Sequence, residues 1–159
     1  MGCTHYWTQR KNYSRVGWVA ICVDIKAILE RAQADGVTLW AEYDEPNTQP
    51  DLNQDFIRFN GAGDEGHETF YIQRIREPLK EWQTRTDLGW SFCKTAAKPY
   101  DVAVVACLAY LESCQGFSVA SDSDAEDWAA GVKLARRALQ ELADRIDLPK
   151  QVAANTVSA

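Results

Sequence analysis

Apolar residues recur at three- and four-residue steps through Trp18, Ile21, Cys22, Ile25, Ile28, Leu29 and Ala32. That spacing is the stripe of an amphipathic helix, predicted over residues 14–35 with Gly36 as its stop. Residues 99–114 differ, being apolar nearly all round through Val102, Val104, Val105, Leu108 and Leu111. A buried central helix follows, opened by Pro99, whose fixed φ and missing N–H suit a first helical position. Ser123-x-x-Glu126 reads as a capping box for a third helix, with Trp128, Val132, Ala135, Leu139 and Leu142 on one face. Pro149 is expected to close the folded region and to leave residues 150–159 as a loose tail.

Segments of β-type composition fill the intervals: residues 4–9, 37–43, 56–60, 67–73, 90–95 and 116–120. The third and fourth form a predicted hairpin, joined by the glycine-rich run Gly61 to Gly66. Residues 44–53, with two prolines, read as a loop. Residues 75–88 are charged and fit either a short helix or a long excursion. The order β-α-β-β-β-β-α-β-α predicts one α+β domain over residues 1–149. Its expected form is a mostly antiparallel sheet of about five to six strands with three main helices packed on it.

Composition narrows the function classes. The chain has 159 residues, a net charge of −6 and 46% hydrophobic residues, an ordinary globular balance. With a pI near 4.9 it lacks the basic footprint of a general nucleic-acid binder. Five scattered cysteines without CxxC spacing argue against a disulfide framework or a zinc site and for a reducing compartment. No run approaches the roughly 18 apolar residues of a membrane span, and no signal peptide is visible. Met1-Gly2-Cys3 fails as a lipidation signal because Tyr6 stands where Ser or Thr is needed. A soluble, intracellular chain is expected, with no membrane contact.

The richest candidate chemistry lies at the strand-to-helix corner 94–101. Lys94, Thr95 and Lys98 flank the free N–H groups and positive dipole end of the helix opened by Pro99, an arrangement suited to phosphate or carboxylate. No Walker-type loop is present, so this is not a standard NTPase. His67 and Thr69 share one face of a predicted strand, as do His5 and Trp7 of the first strand. No H-E-x-x-H motif and no carboxylates at ligand spacing accompany the histidines, so neither a metal nor a cofactor is expected. Asp122 is a candidate because it follows a strand, outside the cap of the last helix. Cys93 reads as a core thiol first and a nucleophile only second.

The blocks Met1-Gly2 with Thr4-His5-Tyr6-Trp7, Phe59-Asn60-Gly61, His67-Glu68-Thr69-Phe70, Phe92 to Ala96 and Lys98 to Asp101 span nearly the whole chain. In these the sequence resembles a family of small bacteriophage- and prophage-associated proteins without an assigned activity. Cys3 stands where that family has tyrosine, and Ala97 where it has arginine. The resemblance implies a viral origin and hence a setting in the host cytoplasm. Its blocks gather His5, Trp7, Asn60, His67, Thr69, Lys94, Thr95, Lys98, Tyr100 and Asp101, to which Asp122 is added from the residues alone.

The leading expectation is an accessory protein that binds a small anionic, nucleotide-like ligand, with sequestration of a host immune signal as its use. Lys94, Thr95 and Lys98 would hold the charged group, Trp7 and Tyr100 would stack, and His5, Asn60, His67 and Asp122 would supply polar recognition. Two alternatives stand beside it: an enzyme acting on a phosphorylated or glycosidic substrate with His67 as acid or base, and an inhibitor that docks on a host protein through exposed tryptophans. A homo-oligomer is left open.

Overall fold

The computed structural model describes residues 3–158, so the Met1-Gly2 part of the first block lies outside it. Helices and antiparallel strands give an α+β architecture. Seven strands form two sheets among the described residues, rather than one sheet of five or six. In the first, β1 (Thr4–Thr8) lies between β6 (Trp90–Lys94) and β7 (Ser118–Ser121), antiparallel to both. In the second, β4 (Phe56–Gly61) pairs with β2 (Leu39–Trp40), β3 (Asp51–Leu52) and β5 (Phe70–Gln73), again all antiparallel.

The helices follow the apolar patterns closely. The first, α1 (Arg15–Ala34), is capped by the Ser14 hydroxyl, which accepts from the Gly17 N–H at 3.0 Å, and buries Trp18, Ile21, Ile25, Ile28, Leu29 and Ala32. The second, α2 (Asp101–Gln115), buries every residue from Ala103 to Leu111 and stops at Gly116, whose φ of 76° is left-handed. The third, α3 (Ala125–Ala138), packs on α2 where Gly131 meets Val105. Its capping box uses Asp124 and Asp127, one residue later than Ser123-x-x-Glu126. Ser123 is thereby freed for a different role near β1.

The expectation of a loose tail after Pro149 is wrong. Residues Lys150–Ser158 form α4, and Pro149 begins it, its carbonyl accepting from the Ala153 N–H at 3.0 Å. Pro99, expected at the first position of its helix, instead lies just ahead of α2, which begins at Asp101 with Tyr100 as its N-cap. Val152 is fully buried, and the Asn155 amide donates to the carbonyls of Ser121 and Ser123 at 2.7 and 3.1 Å. Residues 75–88 contain no long helix; they run as turns to a short 3-10 segment at Arg85–Asp87.

Alternation along β1 sends His5 and Trp7 inward and Tyr6 outward. Across the ladder Tyr6 pairs with Phe92. Tyr6, Trp90 and Phe92 line the outer face, with ring centroids 6.3 and 5.5 Å apart in succession. No helix among the described residues is long and apolar enough to cross a membrane.

Candidate functional site

The corner between β6 and α2 is held in an unusual backbone shape. The Lys98 N–H donates to the Thr95 carbonyl at 3.0 Å, closing a four-residue turn, and both central residues, Ala96 and Ala97, have positive φ (52° and 56°). Turns of that kind favour Asn-Gly, and alanine adopts them only when the surroundings impose it. Here the imposition is the Cys3 carbonyl, which accepts from the Thr95 and Ala96 N–H groups at 2.9 and 3.2 Å.

One expectation at this corner is overturned by the chain's own carboxylate. Asp101 lies in the first turn of α2, where its charge complements the positive dipole end. Its Oδ1 accepts from the Thr95 hydroxyl and from His5 Nε2, the latter at 2.8 Å. The helix N-terminus is therefore served internally, and Thr95, fully buried, is not free to hold an external anion.

Around Asp101 a polar knot is built from three separate parts of the chain. His5 is fully buried, edge-on to Trp128 with ring centroids 5.3 Å apart, and its Nδ1 is 2.8 Å from Ser121 Oγ. Burial alone would lower the His5 pKa. The hydrogen bonds to Asp101 and Cys3 and the Asp101 charge outweigh it and push the value up to about 9. Burial would likewise raise Asp101, but the His5 bond and charge and the Thr95 hydroxyl hold it below its ordinary value. Cys3 Sγ stands 3.6 Å from His5 Nε2 and 2.7 Å from Ser123 Oγ. Ser121, His5 and Asp101 have the order of a hydrolase relay, yet the geometry does not serve acyl transfer. His5 is charged at neutral pH and cannot act as base, and the buried Ser121 offers a substrate no approach.

Beside the knot opens a cleft of about 530 Å³ lined by Tyr43, Gly63, Asp64, Gly66, His67, Glu68 and Lys98. Its wall is the loop between β4 and β5. His67 belongs to that loop and not to a strand, since β5 begins only at Phe70. Asn60, fully buried at the end of β4, clasps the loop from beneath. Its Oδ1 accepts from the N–H groups of Gly61 and His67 at 2.7 and 3.1 Å, and its amide donates to the His67 carbonyl and Thr69 Oγ1 at 2.9 and 3.0 Å. Thr69 in turn donates to Glu42. The exposed His67 ring is oriented by the Lys94 carbonyl, 2.9 Å from Nδ1. A carbonyl only accepts, so Nδ1 carries a proton and Nε2 is left for other partners. Glu68 Oε2 accepts from the Lys94 N–H at 2.6 Å.

The residues expected to serve one ligand thus divide. His67 and Lys98 meet in the cleft, while the exposed Lys94 supports it through its backbone and does not line it. His5, Thr95 and Asp101 belong to the knot, and Asn60 and Thr69 to the clasp. Trp7 is only 3% exposed and packs on Phe70 at 5.3 Å, so it is a core residue and not a stacking surface. Tyr100 is fully buried, its hydroxyl donating to the Glu68 carbonyl at 2.5 Å, and it too cannot stack on a ligand. Asp122 is exposed at the end of β7, tied by its N–H to the Thr4 carbonyl at 3.1 Å, and does not line the cleft. Cys93 is a buried thiol pushed up to about 12 by desolvation, which fits the core role. Sequence reasoning passed over Tyr43 as a cleft residue and Cys3, Ser121 and Ser123 as members of the knot. No motif marks them; only the fold brings them in. No protein-family model, curated protein or solved structure matches the chain, so its function has to be read from this geometry.

Proposed function

We propose that the chain binds a small anionic, nucleotide-like ligand in the cleft beside the 94–98 corner. The observation that supports this reading is the convergence of Lys98 and an oriented His67 on one open cavity. Lys98 would take the charged group and His67 Nε2 a phosphate or hydroxyl, while the half-exposed Tyr43 offers its ring to a base. Asp64 and Glu68 lie on the same wall, so the lining is of mixed sign. A bare anion would be repelled by them. A nucleotide carries ribose hydroxyls and amino groups that carboxylates accept, together with a phosphate for the lysine. In the viral setting that the sequence resemblance implies, retention of a host immune signal would be its use.

Isothermal titration of the folded protein against mono- and dinucleotides tests the reading. Binding is expected, and Lys98→Ala should weaken it about tenfold or more, in line with loss of a charge-assisted contact. Absence of binding to every anionic nucleotide would overturn it. The free Nε2 also favours a second reading, in which His67 is a general acid or base on the bound phosphate ester. Mass spectrometry of the ligand separates the two: an intact molecule after incubation indicates retention, an altered one turnover.

A further inference from the structure

We infer that Cys3, His5 and Asp101 form a binding site for one zinc-class divalent cation, independent of the cleft. Their donor atoms, Cys3 Sγ, His5 Nε2 and Asp101 Oδ1, all lie within 4.8 Å of one another. Donors held about 2.0–2.3 Å from a tetrahedral metal are separated by roughly 3.3–3.6 Å. The thiol is 3.6 Å from the imidazole nitrogen and 3.8 Å from the carboxylate oxygen, close to those edges of the tetrahedron. Only the 2.8 Å imidazole–carboxylate edge is short, because a proton bridges it. Replacing that proton by a cation requires the edge to open by about 0.5 Å.

Three further features fit a metal and not merely a hydrogen-bonded knot. Cys3, just ahead of β1, lies against the His5 ring, and the β6–α2 corner delivers Asp101 to both. The remaining nitrogen of His5 is held by Ser121 Oγ at 2.8 Å, and that hydroxyl also accepts from the Ser123 N–H at 3.0 Å. A ligating histidine is commonly oriented in this way through its second nitrogen. Lastly, the Asp101 side chain is 20% exposed, which leaves an entry path on its side of the cluster, while Trp128 walls the inner side. Thiolate, imidazole and carboxylate together select zinc-like ions over magnesium or calcium. Three protein donors leave the fourth position to water. On binding, the Cys3 thiol proton and the proton on Nε2 leave to solvent.

The test is titration of the chelator-treated, reduced full chain with Co²⁺, followed by displacement with Zn²⁺. Saturation at one equivalent is expected, with a sulfur-to-cobalt charge-transfer band and the intense visible bands of a tetrahedral site. Cys3→Ser should abolish the charge-transfer band and weaken binding at least about tenfold. Cys114→Ser, which alters another half-buried thiol, should keep both. Zn²⁺ should also raise the thermal midpoint of the unaltered chain and leave that of Cys3→Ser unmoved, a readout that requires only that the variant fold. Absence of a cobalt band in the unaltered chain, or a band that survives Cys3→Ser, would overturn the assignment.

Discussion

Asn60 shows how much of this molecule's polar chemistry is architectural. Its side chain has no exposure and makes four hydrogen bonds, three to the loop that carries His67 and one to Gly61 at the strand end. Asn60→Ala would leave the buried Gly61 N–H and the part-buried His67 N–H and carbonyl without this partner, each at a cost. A loss of about 3 kcal/mol is expected in urea denaturation. The His67 ring should lose its fixed orientation, visible as altered imidazole NMR signals. Lys94→Ala is the control: its side chain is exposed, and a change below about 0.5 kcal/mol is expected. The sequence marks Asn60, His67, His5 and Asp101 as polar residues near element ends. It does not show which pairs meet, because the decisive partners are remote in the chain. His5 and Asp101 are 96 residues apart, and no periodicity reports such a contact.

Among the elements, helices were the most legible because burial on one face repeats locally. The stripe on α1 and the all-round apolar α2 correspond to sequence patterns almost residue by residue. Sheet partition was not legible, since six short β-type segments do not state which edges pair, and two sheets satisfy the same pattern as one. The C-terminal helix is not legible from Pro149, because a proline that ends one segment serves equally to open the next, and here its carbonyl starts α4. The packing of α3 on α2 rests on one missing side chain. A Cβ at Gly131 would lie 2.3 Å from Val105 Cγ1 and 2.7 Å from Val105 Cβ. Val105 is fully packed and stiff at χ1, so it cannot swing aside. Gly131→Ala gains about 1 kcal/mol of helix propensity. The overlap outweighs it, since overpacking costs about 1–3 kcal/mol and here a helix backbone must also shift. A net loss of about 1–2 kcal/mol is expected, measured as a lowered urea midpoint with an unchanged slope.

For the whole molecule, the His5–Asp101 pair joins the central strand of the first sheet to the start of the buried helix, so its titration should govern global stability. The folded state holds the His5 pKa at about 9, above the ordinary imidazole value of 6.5. Below pH 6.5 folded and unfolded chains are both protonated there, and the full contribution is present. Between 6.5 and 9 only the folded chain keeps the proton, so stability falls as pH rises. The steepest slope for one proton is about 1.4 kcal/mol per pH unit. Asp101 acts in the opposite sense: its value is held below the ordinary one, so its contribution is lost as pH drops through that region. The two together place the maximum for this pair on the acidic side of neutrality. The buried thiols, also raised by desolvation, add a further loss only above the ordinary thiol range. Denaturation of the metal-free protein from pH 5 to 10 should show this decline, with the His5 imidazole NMR signal remaining that of the protonated ring past pH 8. A flat profile between 6.5 and 9, or a His5 signal that titrates near its ordinary value, would show that the knot does not hold its proton. Metal-free protein is essential, because a cation on Nε2 takes the place of that proton and would flatten the same curve.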